Sequence, residues 1–97
     1  MSARYIPLKG FTAVLTPHFI ISAEKRGMSW NALTDAFMEN LYAAAAENVV
    51  SGTAFDGGFI YFRVIWNSIR RRGELEFISF TPARHFTTAN HQHTVRI

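Results

Sequence analysis

Six arginines stand in the second half of this sequence: Arg63, Arg70, Arg71, Arg72, Arg84 and Arg96. Over residues 51–97 they face three carboxylates, Asp56, Glu74 and Glu76, whereas residues 1–50 balance four basic side chains against four acidic ones. The net charge of +3 therefore resides in one half of the chain. A guanidinium is a rigid planar fork of donors that fits phosphate better than the point charge of lysine, so a phosphate-bearing partner is expected there. Metal-free RNA cleavage needs a base for the ribose 2′-hydroxyl, an acid for the leaving oxygen, and cations on the phosphate. His85 beside Arg84, together with Glu76, supplies those types, so His85, Arg84 and Glu76 are the catalytic candidates.

Each candidate has a plainer reading. Arg63 sits inside an otherwise apolar run and must be paired or lie on an open face; phosphate satisfies it, and so does a cross-strand pair with Glu76. Glu76 is equally explained as a solvent-facing strand glutamate, and His85 as a surface histidine. Arg70, Arg71 and Arg72 read as a clamp on a phosphate backbone, or as a charged tip that discourages edge pairing. His91 and His93 share a face if extended, and with His85 they make a three-histidine set. No carboxylate adjoins them to orient it, so surface histidines are expected, with no metal and no cofactor. His18 falls in the first turn of a helix, where an imidazolium opposes the dipole, and reads as neutral and hydrogen-bonded. Tyr61, Phe62 and Trp66 have the types that stack on bases but read as core.

These side chains need a scaffold, and 97 residues make one domain (1–97) with a single core. Hydrophobic types are 48% of the chain and Phe alone occurs nine times, so the chain is expected to fold. The absence of cysteine removes disulfides, thiolate nucleophiles and cysteine zinc sites. No apolar run approaches the roughly 20 residues of a membrane span, and residues 1–10 lack the layout of a secretory signal, so a soluble cytoplasmic protein is expected.

The order of elements is legible in the punctuation. Phe11 to Leu15 is a strand-length apolar run, Thr16-Pro17 starts a helix that runs to about Arg26, and Gly27 supplies a left-handed stop. Ser29 is the next N-cap, and Trp30 to about Glu47 repeats Trp30, Leu33, Phe37, Leu41 and Ala44 at helical spacing, with Ala36 and Met38 flanking. Asp35 and Glu39 lie on its outer face, as a solvated pair or as a docking stripe for a basic partner. Ser51 to Gly58 reads as a connecting loop. Phe59 to Trp66 and Glu74 to Thr81 form an antiparallel hairpin with an arginine-loaded tip; the first strand is apolar on both faces and should be central. Pro82 ends the second, and His91 to Ile97 alternates as a third. The expected fold is α+β: two N-terminal helices on a mostly antiparallel three- to four-stranded sheet, in the order β-α-α-β-β-β.

The stretch Lys25-Arg26-Gly27-Met28-Ser29-Trp30, running into an amphipathic helix, resembles the helix junction of the BrnT branch of the RelE-like toxin ribonucleases. That family reads Lys-His-Gly-Val-Ser-Phe there. A second similarity is Ile78-Ser79-Phe80-Thr81-Pro82-Ala83-Arg84, beside the family's late strand ending in Ser-Ala-Arg. Together with the order of elements the resemblance covers about two thirds of the chain. Arg84 matches a family arginine; the chain departs in Arg26, where histidine is usual, and in Thr81-Pro82, which replaces the strand-end serine.

The resemblance implies an endoribonuclease of a toxin-antitoxin system, holding RNA, in some cases on the ribosome, on an open sheet face that a cognate antitoxin covers. Arg63, Arg70, Arg71 and Arg72 would then bind the phosphates. The rival expectation is a phage or mobile-element inhibitor of the anti-CRISPR kind that docks on a host defence complex without catalysis, using Asp35, Glu39 and the arginine tip. A homodimer through an exposed sheet edge is the third.

Overall fold

The computed structural model describes residues 2–45, 49–82 and 93–94. The chain is α+β, and it opens on a strand not anticipated from the sequence. Strand β1 (Arg4–Leu8) turns through Lys9 and Gly10 into β2 (Phe11–Leu15). Gly10 adopts φ 89, a left-handed conformation that costs glycine nothing. Arg4, Tyr5 and Pro7 hide β1 from a hydrophobicity reading, and a proline in a strand is tolerated at a sheet edge, where β1 lies.

Helix α1 (Pro17–Lys25) begins as expected, with Thr16 Oγ1 accepting from the Phe19 amide at 3.2 Å. The same hydroxyl donates to the Phe77 carbonyl at 2.7 Å, so the cap also fastens the helix to the sheet. At the other end Gly27 takes φ 68, Met28 N donates to Ala23 O at 3.0 Å, and Gly27 N donates to Glu24 O at 3.3 Å. This is a Schellman stop.

The long second helix expected over residues 30–47 is instead broken. A 3₁₀ turn (Trp30–Ala32) comes first, and α2 spans Asp35–Ala44. Thr34, not Ser29, is its N-cap, accepting from Phe37 N at 3.1 Å, with Asp35 in the first turn where the dipole favours an anion. The break shifts the helix phase, so Met38 and Leu41 are the fully buried residues while Ala44 is exposed.

Residues 51–58 are not a loop. Strand β3 (Val50–Phe55) pairs antiparallel with β4 (Gly58–Asn67) through Asp56 and Gly57 at φ 47 and 80. Two left-handed residues in sequence make the hairpin turn for which Asp-Gly is the standard signal. Asp56 also accepts from Ser29 N at 2.8 Å, tying this turn to the helix junction. Strand β5 (Arg72–Pro82) pairs antiparallel with β4, as expected, and parallel with β2. Of the third strand expected over residues 91–97, His93–Thr94 (β6) is described; it pairs parallel with β3, and the rest lies outside the described residues.

The sheet is therefore six-stranded and mixed, in the order β1-β2-β5-β4-β3-β6, with β4 in its interior. This corrects the expected order and strand count. Both helices pack on one face, where Phe11, Ala13, Leu15, Ile60, Phe62, Val64, Leu75, Phe77 and Phe80 meet Phe19, Ile20, Ala23, Met38 and Leu41. A register shift next to Phe62 lets Phe77 and Phe80, three apart, both point into this core.

Candidate nucleic-acid interface

Strand alternation places the second face of the sheet away from both helices. The register draws one row across five strands on that face: Tyr5 of β1 opposite Val14 of β2, Val14 opposite Glu76 of β5, Glu76 opposite Arg63 of β4, and Arg63 opposite Val50 of β3. A neighbouring row runs Pro7, Thr12, Glu74 and Ile65. Tyr61 and Phe59 continue the same face of β4.

Arg63 and Glu76 form the pair that their spacing allowed, with Arg63 Nε donating to Glu76 Oε1 at 2.6 Å. The Arg63 side chain nevertheless remains 47% exposed. Only its Nε is used in this bond, which leaves the donors of the terminal amino groups for a further acceptor.

The hairpin tip is built from Asn67. Its Oδ1 accepts from the amides of Ile69 (3.1 Å) and Arg70 (3.0 Å), and its Nδ2 donates to the buried carboxylate of Glu74 at 3.0 Å. Arg71 closes the turn at φ 54 and is exposed. Arg70 leaves the tip and crosses the sheet, its Cζ 4.7 Å from the centroid of the Tyr5 ring, with Nη1 4.0 Å from Glu74 Oε2. A cation held over an aromatic face in this way is attracted by the ring quadrupole, which ties Arg70 to Tyr5.

Arg72, adjacent in sequence, does something else. Its Nε donates to Thr12 Oγ1 at 3.0 Å, and its Nη2 donates to Phe11 O at 2.8 Å and to Leu8 O. The three arginines of the tip thus separate: Arg70 lies on the sheet face, Arg71 points to solvent, and Arg72 locks the β1–β2 turn to β5.

Among the catalytic candidates, Glu76 lies in the row beside Arg63, while Arg84 and His85 lie outside the described residues, as does His91. Asp35 and Glu39 are exposed on α2, in the helical layer and not on the sheet face that carries Arg63 and Arg70. His18 is exposed and its side chain makes no hydrogen bond among the described residues, so the expected bonded histidine is not found.

Two aromatic assignments change. Phe62 is core, but Tyr61 is half-buried on the helix-free face, and Trp66 is 56% exposed although it shares the alternation of Ile60, Phe62 and Val64. The ten residues of β4 extend over roughly 33 Å, whereas the ten of α2 cover about 15 Å, so the strand outruns the helical cover at its tip end. Tyr5, 53% exposed, and Ile69, 93% exposed, were not singled out by type or spacing. Tyr5 carries no signal in a strand that was not foreseen, and an isoleucine in a turn reads as noise until its exposure is known.

The chain matches no protein-family model, no curated protein and no solved structure. No helix among the described residues is long and apolar enough to cross a membrane.

Proposed function

We propose that this chain is an RNA-binding, toxin-like protein that lays a single strand across the helix-free face of its sheet, in the cytoplasm. The observation that carries the reading is the row Tyr5, Val14, Glu76, Arg63 and Val50, with Arg70 folded down onto Tyr5. Guanidinium groups beside a half-exposed aromatic supply what single-stranded RNA recognition uses, charge for phosphate and π-faces for bases. Glu74 and Glu76 offset part of that charge, so stacking carries a large share of the affinity. Cleavage, in this reading, has one of Glu76 and His85 taking the 2′-hydroxyl proton as the 2′-oxygen attacks phosphorus, and the other, protonated, giving its proton to the 5′-oxygen as the P–O5′ bond breaks and a 2′,3′-cyclic phosphate forms, with Arg84 on the phosphate. A cognate antitoxin covers the same face.

Fluorescence anisotropy with a single-stranded RNA tests it. Tyr5→Ala and Arg63→Ala are expected to weaken binding by roughly tenfold each, the scale of one lost base stack or charge-assisted contact. Wild-type protein that does not bind RNA sinks the reading. RNA and ribosomes left intact by wild type, or cleaved undiminished by Arg84→Ala and His85→Ala, sink its enzymatic part alone.

A second reading, an inhibitor docking on a host protein complex, is favoured by the exposure of Trp66 and Ile69 beside Arg70 and Arg71. Tryptophan and arginine are the types that dominate protein interfaces. It predicts a stoichiometric, RNA-free protein complex that Trp66→Ala and Ile69→Ala abolish, with RNA affinity unaffected.

A further inference from the structure

A separate concavity of about 250 Å³ lies between α1 and the end of β5, beyond the last residue that pairs with β2. Its floor is rigid. Ser22 Oγ accepts from Phe80 N at 2.9 Å and donates to Phe19 O at 3.0 Å, and both Ser22 and Phe80 are buried. One wall carries His18, Lys25 and Arg26, whose spacing puts them along one side of the helix. The other is formed by Ser79 and Thr81, the cross-strand partners of Tyr61 and Phe59 on the helix-free face.

Among the described residues no carboxylate lines this groove. Among the described residues the ion pairs are Arg63–Glu76 and Arg70–Glu74, so Lys25 and Arg26 have no anionic partner there. Arg26 Nη1 donates to Ser22 O at 3.4 Å, which draws its guanidinium toward the floor. Cations in a last helical turn complement the dipole wherever they occur. That accounts for Lys25 and Arg26 but not for a concave site in which they meet a histidine, Ser79 and Thr81.

We propose that this groove is a binding site for a phosphate group. Two cations and a ring nitrogen able to donate match the acceptor oxygens of a phosphate. The volume, below the roughly 300–1,000 Å³ of pockets that hold whole drug-sized ligands, suits a phosphate with a small substituent. The site shares no residue with the row Tyr5, Val14, Glu76, Arg63 and Val50, and stands or falls independently of RNA binding there.

The test is an amide NMR titration of the full chain at constant ionic strength with inorganic phosphate, uridine 5′-monophosphate and uridine. Saturable shifts at Ser22, Lys25, Arg26, Ser79 and Thr81 with the first two ligands and none with uridine are expected. Equal affinity for both identifies the free phosphate group as the ligand, and tighter binding of the monophosphate identifies a nucleotide. The double variant Lys25→Gln/Arg26→Gln, whose side chains are exposed, should bind at least about tenfold more weakly. Arg4→Gln/Lys9→Gln removes the same charge elsewhere on the surface and should bind as wild type. Absence of saturable shifts in the groove, shifts with uridine alone, or equal loss in both double variants overturns the proposal.

Discussion

Arg63 Nε lies 2.6 Å from Glu76 Oε1, and the two residues are direct cross-strand partners on β4 and β5. The pair sits mid-sheet on the face that the helices leave open, so one contact both steadies the register and orients the guanidinium most central to the RNA-binding reading.

Half-exposed pairs of this kind contribute little to stability, and a double-mutant cycle over Arg63→Ala and Glu76→Ala is expected to give a coupling of about 0.5–1 kcal/mol that shrinks with added salt. The functional consequence is larger. Glu76→Gln removes an anion from the face, so RNA should bind more tightly while any cleavage that uses Glu76 as base is lost. Anisotropy and gel assays on the same variant separate the two effects; weaker RNA binding by Glu76→Gln would show that the carboxylate serves mainly to hold Arg63 in place.

Arg72 should behave as a structural residue. Its guanidinium reaches Thr12, Phe11 O and Leu8 O at once, so truncation to alanine strips several charge-assisted bonds from the β1–β2 turn. We expect Arg72→Ala to cost about 2–3 kcal/mol in denaturant unfolding, with lysine failing to restore it because an ammonium cannot span the same fork. Arg71→Ala, at an exposed tip, should fall within about 0.5 kcal/mol of wild type.

The broken second helix is tested at its caps. Thr34 Oγ1 receives the Phe37 amide, and Ser29 contributes its backbone amide, to Asp56, with no side-chain bond among the described residues. Thr34→Ala is therefore expected to destabilise by about 1 kcal/mol and Ser29→Ala by less than about 0.5 kcal/mol. The reverse order in thermal or chemical melts would restore the single helix starting at Ser29.

Much of this molecule follows from local chemistry. Thr16-Pro17 and Gly27 bound α1, and the apolar run of β4 with the polar residues after it marks the central hairpin, because caps, turns and alternation act over a few residues. Asp56-Gly57 carried the β3–β4 turn in plain view, although the small polar residues before it disguised β3 as a loop. The break at Asn31–Thr34 was harder to see, since Leu33 and Phe37 keep a helical spacing across it and only the hydrogen bond from Phe37 to Thr34 shows where the helix begins.

By itself, then, the sequence determined an α+β chain whose positive excess is all arginine and lies in residues 51–97. It also determined which residue types were present for phosphate chemistry. Tertiary structure decided where each arginine went. Pairing of β2 with β5 in parallel brought the β1–β2 turn within reach of Arg72 and Tyr5 within reach of Arg70, partners more than sixty residues apart that no spacing rule connects. Three consecutive side chains of one type thus acquired three environments, because a guanidinium goes to the acceptors and rings that the fold places within its length.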